Sequence, residues 1–163
     1  MNQAQELPSN GNSINEQPTA SVAELLARAK VSVAPDTFFL IGLRPEDWAR
    51  LLENPKLSPR ADAPFMLLRD AHDVTLLLTE TDWRTMRHAA REARIEGDFR
   101  LLTFDVELDW NVVGFLARVT EILAEANVAV GALSAFSRDH LLIKQDDLGT
   151  ALRALGEHVA ELC

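Results

Sequence analysis

The stretch that decides the fold is "LDWNVVGFLARV", Leu108–Val119. It reads as the end of a strand and the start of a helix, with Gly114 inside the expected first turn. Glycine within a helix costs roughly 1 kcal/mol relative to alanine. The periodic residues Val112, Phe115, Leu116, Val119, Ile122, Leu123 and Ala126 form one apolar stripe, so a helix is expected over residues 111–126. Asn111 suits its N-cap, and Asn127 suits a left-handed C-terminal stop.

Working outward, Leu102, Phe104, Val106 and Leu108 alternate with Thr103, Asp105 and Glu107, which is the period of a half-buried strand. Downstream, "VAVGALSAF" and "HLLIK" read as strands joined by a tight "SRD" turn. The last helix opens at Asp146 or Asp147, whose carboxylates suit its positive end. It carries Leu148, Leu152, Leu155, Val159 and Leu162. This half reads strand, helix, strand, strand, helix. A split βαβ unit requires one further strand, and the candidate donor lies upstream.

Upstream, Ser21 and Glu24 have capping-box spacing before Leu25 and Leu26. "KVSVAPDTFFLIGL" reads as two strands around a Pro-Asp turn. "PEDWARLLENP" is a short helix bounded by prolines. "FMLLRDAHDVTLLLTE" reads as two more strands, with a turn near Ala71 to Asp73. Residues 1–20 are rich in Asn, Gln, Ser and Pro, a composition expected to form a disordered tail. The inferred division is 1–20 tail, 21–95 first unit and 96–163 second unit, the two units interlocked by shared strands.

The 163 residues carry a net charge of -9, with 47% hydrophobic and 25% charged residues. Nucleic-acid affinity draws on basic side chains neutralising phosphates, so this balance opposes nucleic acid and anionic membrane as partners. Arg84, Arg87, His88, Arg91 and Arg94 cluster on a segment whose other side bears Trp83, Met86 and Ala90, as on an amphipathic helix. Glu92, Glu96 and Asp98 balance it, and a solvated face is the reading adopted. Apolar runs such as "VTLLL" are too short to cross a bilayer. Nothing before Arg28 is basic, so no secretory leader is expected. A cytoplasmic protein with one thiol, Cys163, and no metal or other cofactor follows.

Two roles for Gly114 are open. A missing side chain could let a small anion approach the unpaired N–H groups of a helix start, or could let the helix pack closely on a strand. Catalysis is not expected. Asp139 and His140 are adjacent on a strand and point to opposite faces, so they cannot form a relay with Ser134 or Ser137. No GxSxG, HExxH, P-loop or GxGxxG pattern occurs.

From "RLLTFDVELDWNVVGFLARVTEILAEANVAVGALSAFSRDHLLIKQDDLGTALRAL" the second half resembles an ACT domain, similar to those of CASTOR-type sensors and aspartokinases. "DTFFLIGL", "PFMLLRD" and "DVTLLL" extend the resemblance into the first half. It implies an α+β, ferredoxin-like βαββαβ module, homodimeric, that binds an amino acid or similar metabolite without catalysis. Carried onto this chain, the binding loop is Asp109, Trp110, Asn111, Val112, Val113 and Gly114. Backbone groups of Val112 to Phe115 would meet the ligand's carboxylate. Asp109 would meet its ammonium, or be a plain surface carboxylate. Ser134 and Phe136, placed on the next strand, would line the pocket or simply pack the sheet. His140 stands where the family often has an aromatic residue. The other implied role is an assembly module with a degenerate pocket.

Overall fold

The computed structural model describes residues 20–60, 62–90 and 92–163. The expected tail therefore falls, apart from Ala20, outside the described residues. The chain runs α1 (Val22–Arg28), β1 (Lys30–Val33), β2 (Phe38–Leu43), α2 (Pro45–Leu52), β3 (Met66–Arg69), β4 (Val74–Thr79) and α3 (Glu80–Met86). It continues through β5 (Arg94–Asp105), α4 (Phe115–Glu125), β6 (Val130–Ser134), β7 (Asp139–Lys144), α5 (Leu148–Gly156) and β8 (Glu161–Leu162). This is an α+β, ferredoxin-like arrangement on one eight-stranded sheet.

The twelve-residue β5 joins the two halves. Its first part pairs with β2, giving the order β3-β4-β2-β5. Its second part lies between β1 and β7, giving β6-β7-β5-β1-β8. The missing strand is thus supplied twice over. Upstream β1 inserts beside β5, with Lys30 opposite Asp105. The chain end then adds β8 parallel to β1.

Between Phe38 and Leu40 the register against β5 slips: Phe38 faces Phe99 and Leu40 faces Glu96. Gly97 and Asp98 on β5 therefore oppose Phe39 alone, which is a β-bulge. Asp98 takes a φ of 60°. A Cβ on Gly97 would lie 2.5 Å from Cε1 of Phe39, so the ring needs a bare backbone beneath it.

Helices and strands enclose two cores. Leu25 and Leu26 of α1, Val119, Ile122 and Leu123 of α4, and Ala151 and Leu155 of α5 cover Val31, Leu102, Phe104, Leu141 and Ile143. Leu51, Trp83 and Met86 cover Ile41, Leu43, Val74, Leu76 and Leu78. A third buried cluster holds only strand side chains: Phe38, Leu77, Phe99, Leu101 and Leu142. Leu77 and Leu142 sit on strands that do not pair, so this cluster spans both halves of the sheet across β5.

The seven-residue α1 is too short to persist alone. Its capping box is formed, with Ser21 Oγ accepting from the Glu24 amide at 3.3 Å and the Glu24 carboxylate accepting from the Ser21 amide at 2.8 Å. The Ser21 amide, and the Ser21 hydroxyl donating at 2.9 Å, hold the Glu24 carboxyl below its ordinary range. Burial of Leu25 and Leu26, worth about 1.5–3 kcal/mol each, fixes the helix to the second half.

Three expectations fail locally. The basic segment is not one helix: α3 stops at Met86, and Arg94 opens β5. Arg91 lies outside the described residues. The last helix ends at Gly156, and Leu162 belongs to β8. The strand that was to include Phe136 ends at Ser134, leaving Phe136 in the turn before β7.

Candidate functional site

The link from β5 to α4 begins with a turn rather than a helix. The Asp109 carbonyl accepts from the Val112 amide at 2.9 Å, so Asn111 is a turn residue and not the N-cap. Asx residues favour such turns because their short polar side chains tolerate them. The helix starts one turn later. Its N-cap is Gly114, at φ 92° and ψ 2°, with no side-chain cap. The Gly114 carbonyl accepts from the Arg118 amide at 3.0 Å.

The amides of Phe115, Leu116 and Ala117 precede the first intrahelical bond, as at any helix start. They have no acceptor among the described residues. The ring of Phe115 is buried against Phe104, edge-to-face at 5.6 Å and 86°, so its backbone alone meets the surface.

A cavity of about 330 Å³ opens at this mouth, at the small end of the roughly 300–1,000 Å³ typical of ligand pockets. One wall is residues 114–117, a second is residues 108–110 with Val112, and a third is residues 134–139. One contact ties the second and third walls together, and another ties the third wall to the end of β5. The Leu108 amide donates to the Ser137 carbonyl at 3.0 Å, and Arg138 Nε donates to Asp105 Oδ1 at 2.9 Å.

Of the residues singled out from the sequence, Asp109, Trp110, Val112, Gly114, Phe115, Ser134 and Phe136 line this cavity. Asn111 and Val113 do not, and Val113 points outward at 87% exposure. Trp110 is 96% exposed and Phe136 102%, so neither packs the sheet. Arg138 was read only as part of a connector, and Asp139 as a turn residue and rejected relay member, yet both line the cavity. A two-residue turn between strands gives no sequence signal of which way its side chains project. Ser134 faces Asp139 across the β6–β7 ladder and donates to Asp139 Oδ1 at 2.6 Å.

His140 turns to the other face, where Nδ1 lies 2.9 Å from Thr103 Oγ1 and burial pushes its pKa down. It is therefore not placed to take a proton from Ser134, as a Ser-His-Asp relay requires. Among the described residues no three His, Cys, Asp or Glu side chains converge as a metal site.

α5 likewise has no side-chain cap, but it continues directly from a 3-10 turn at Gln145–Asp147; the remaining helix starts differ. Ser21 caps α1, and Thr79 caps α3 by accepting from the Asp82 amide. β2 runs into α2 through Arg44 alone, and Pro45 at the first helical position has no N–H to offer. Just inside, the Asp47 side chain is 5% exposed and paired with Arg44 at 2.9 Å and with Arg50. The hydrogen bond from Arg44 holds the Asp47 carboxyl below its usual range. The first half thus fills its own strand-to-helix junction with an internal ion pair, while the second half leaves its junction open. No helix among the described residues is long and apolar enough to cross a membrane.

Comparison with known proteins agrees with this geometry. Residues 94–157 match the family model of the ACT domain. No curated protein matches the chain in sequence. Among solved structures, protein Atu0741 of Agrobacterium tumefaciens is similar at 14% identity and TM-score 0.64, over 83% of this chain and 92% of that one. Protein VC0802 of Vibrio cholerae, described as of unknown function and a possible transport protein, is 22% identical with TM-score 0.61, over 85% and 95%. The ligand-free regulatory subunit of aspartate kinase from Thermus thermophilus is 13% identical with TM-score 0.57, over 82% and 98%. At these identities the likeness is one of fold. The family match is thus to the second half of the chain, where the stretch resembling the ACT domain begins at β5 and ends just after α5.

Proposed function

We propose that the chain is a non-catalytic regulatory module that binds an amino acid in the cavity beside Gly114. The ligand's α-carboxylate meets the amides of residues 115–117, where the positive end of the α4 dipole adds to their hydrogen bonds. Its ammonium meets Asp109. The single observation that carries this reading is an uncapped helix start opening into a walled cavity of about 330 Å³. The regulatory role of the aspartate kinase subunit with the same fold supports it. The lone thiol, Cys163, suits a cytoplasmic location. The division into units at residues 21–95 and 96–163 belongs to the same proposal, with β1 and β5 as the shared strands.

The reading is tested by thermal melting of the full chain with each common amino acid. A ligand at a hundred times its Kd stabilises by about 2.7 kcal/mol, or roughly 5–10 °C at this chain length. Absence of any shift at millimolar concentration would remove the reading.

A second role, assembly, is favoured by strand β3. Its outer edge has no partner strand among the described residues, and Phe65, Leu67 and Leu68 are exposed at 54%, 42% and 56%. An open apolar edge invites strand pairing with another chain, here a second copy in a homodimer. Leu68→Lys is then expected to convert a dimer into a monomer in light scattering without lowering the melting temperature of the monomer. A mass unchanged by the substitution would exclude this edge as the interface.

A further inference from the structure

We infer that the first half carries a separate binding site, a cavity beside Trp83 that takes an organic carboxylate with a compact apolar body. It stands independently of the amino-acid reading of the cavity beside Gly114.

The basic segment over residues 84–94 divides once the chain is folded. Arg84 pairs with Glu80 at 2.6 Å and Arg94 pairs with Asp73, as on a solvated face. The side chains of Arg87 and His88 have no hydrogen-bond or ion-pair partner among the described residues. Both line a cavity of about 430 Å³, whose other walls are Trp83, Ala90, Ala93 and Ile95. No carboxylate side chain belongs to this lining. The acidic residues flanking it in sequence are engaged with other cations. Glu80 is held by Arg84, Asp82 by Arg60 at 3.1 Å, Glu92 by Arg44 at 2.9 Å and Glu96 by Lys144. In a chain of net charge -9 the cavity is thus a local excess of positive charge.

Trp83 is a second observation that points the same way. It is only 7% exposed, yet its indole N–H meets no acceptor among the described residues. A buried tryptophan usually finds one. Arg87 follows Trp83 by four residues, at the C-cap of α3, so the two side chains stand on one helix face. Indole and guanidinium can only donate, and imidazole donates through a ring nitrogen. A carboxylate supplies the acceptor that all three lack, and a guanidinium can take it through two parallel hydrogen bonds.

The rest of the lining is apolar. Ala90 and Ala93 are short, and the room they leave lies beside Ile95, which is 49% exposed. Ile95 is opposite Ile41 in the β2–β5 ladder and so faces the side covered by α3, at the margin of that cover. An apolar body seated there removes Ile95 and the indole edge from water. The volume lies within the roughly 300–1,000 Å³ typical of small-molecule pockets.

The experiment follows the indole N–H resonances of the ¹⁵N-labelled full chain during titration with 3-phenylpropionate. The chain has three tryptophans, Trp48, Trp83 and Trp110, hence three such signals. That of Trp83 is assigned by its loss in Trp83→Phe or, should that variant not fold, by elimination with Trp48→Phe and Trp110→Phe. A saturable shift of the Trp83 signal is expected. The neutral 3-phenylpropanamide, which keeps the body and lacks the charge, should bind about tenfold or more weakly. Acetate, which keeps the head and lacks the body, should also bind more weakly. Arg87→Gln should weaken 3-phenylpropionate about fivefold or more. A Trp83 signal that does not move, or a saturable shift confined to Trp110, would overturn the site. Amide binding equal to that of the acid, or unchanged affinity in Arg87→Gln, would overturn its assignment to an anion. Acetate binding equal to that of 3-phenylpropionate would overturn the role of the apolar wall.

Discussion

Phe104→Ala is expected to destabilise the chain by about 3–5 kcal/mol, the range for truncating a fully buried aromatic side chain. Against a total stability of about 5–15 kcal/mol, that is roughly a fifth or more of the whole. It should lower the melting temperature by roughly 6–20 °C, at about 2–4 °C per kcal/mol for chains of this size. Phe104 is completely buried, and its ring meets Phe115 edge-to-face at 5.6 Å between centroids. Such a pair adds about 0.5–1.5 kcal/mol to the area it buries.

The position of the pair gives the prediction a functional arm. Phe115 is the first residue of α4, so its ring is what seats the helix mouth on β5. Leu123→Ala removes an equally buried side chain from the same helix, two turns away from the mouth. Both variants should melt early. Ligand affinity, measured well below either melting point, should fall in Phe104→Ala and stay near native in Leu123→Ala. Equal affinities in the two variants would mean that the mouth is positioned by something other than this aromatic contact. A loss of stability under about 1 kcal/mol for Phe104→Ala would contradict the packing itself.

Much of the fold was legible because local chemistry and tertiary packing agree. Ser21 and Glu24 cap α1 as their spacing predicts, and the Pro-Asp turn separates β1 from β2. Asn127 takes the left-handed conformation expected after α4, at φ 56°. The need for an upstream strand followed from counting elements, and β1 fills it.

What was hidden depends on contacts remote in sequence. The first part of β5, "RIEGD", does not alternate cleanly, because the bulge at Gly97 and Asp98 exchanges the two faces of the strand. The basic segment before it matches a helical period, but Arg94 is drawn into β5 by pairing opposite Gly42. β8 is two residues long and exists only because β1 is there to pair with. At the site, the link residues were legible as a strand-to-helix junction. The third wall was not, since Arg138 and Asp139 join the cavity only when the β6–β7 turn folds back beside residue 108.

Gly114→Val is expected to cost about 1–3 kcal/mol of stability and to abolish the melting shift given by a bound amino acid. Of the two sequence readings of this glycine, close packing is the weaker. A Cβ there would meet only Val22 Cγ2, at 3.9 Å, which is an ordinary contact. The reading in which a side chain would obstruct the ligand directly also needs revision, since the added Cβ faces α1 at that distance. Glycine is required by its φ of 92°, which L-residues with branched Cβ atoms scarcely adopt. Valine forces the cap out of that conformation. The first-turn amides then lose the direction in which they face the cavity, so binding falls through geometry. Gly114→Asn separates the two effects, because asparagine tolerates the left-handed region. It should recover most of the lost stability, and its binding should lie between those of the native and valine chains, its amide competing for the same N–H groups. Native binding in Gly114→Val would show that these amides do not hold the carboxylate. A native melting temperature in Gly114→Val would instead show that the cap conformation is not what demands glycine.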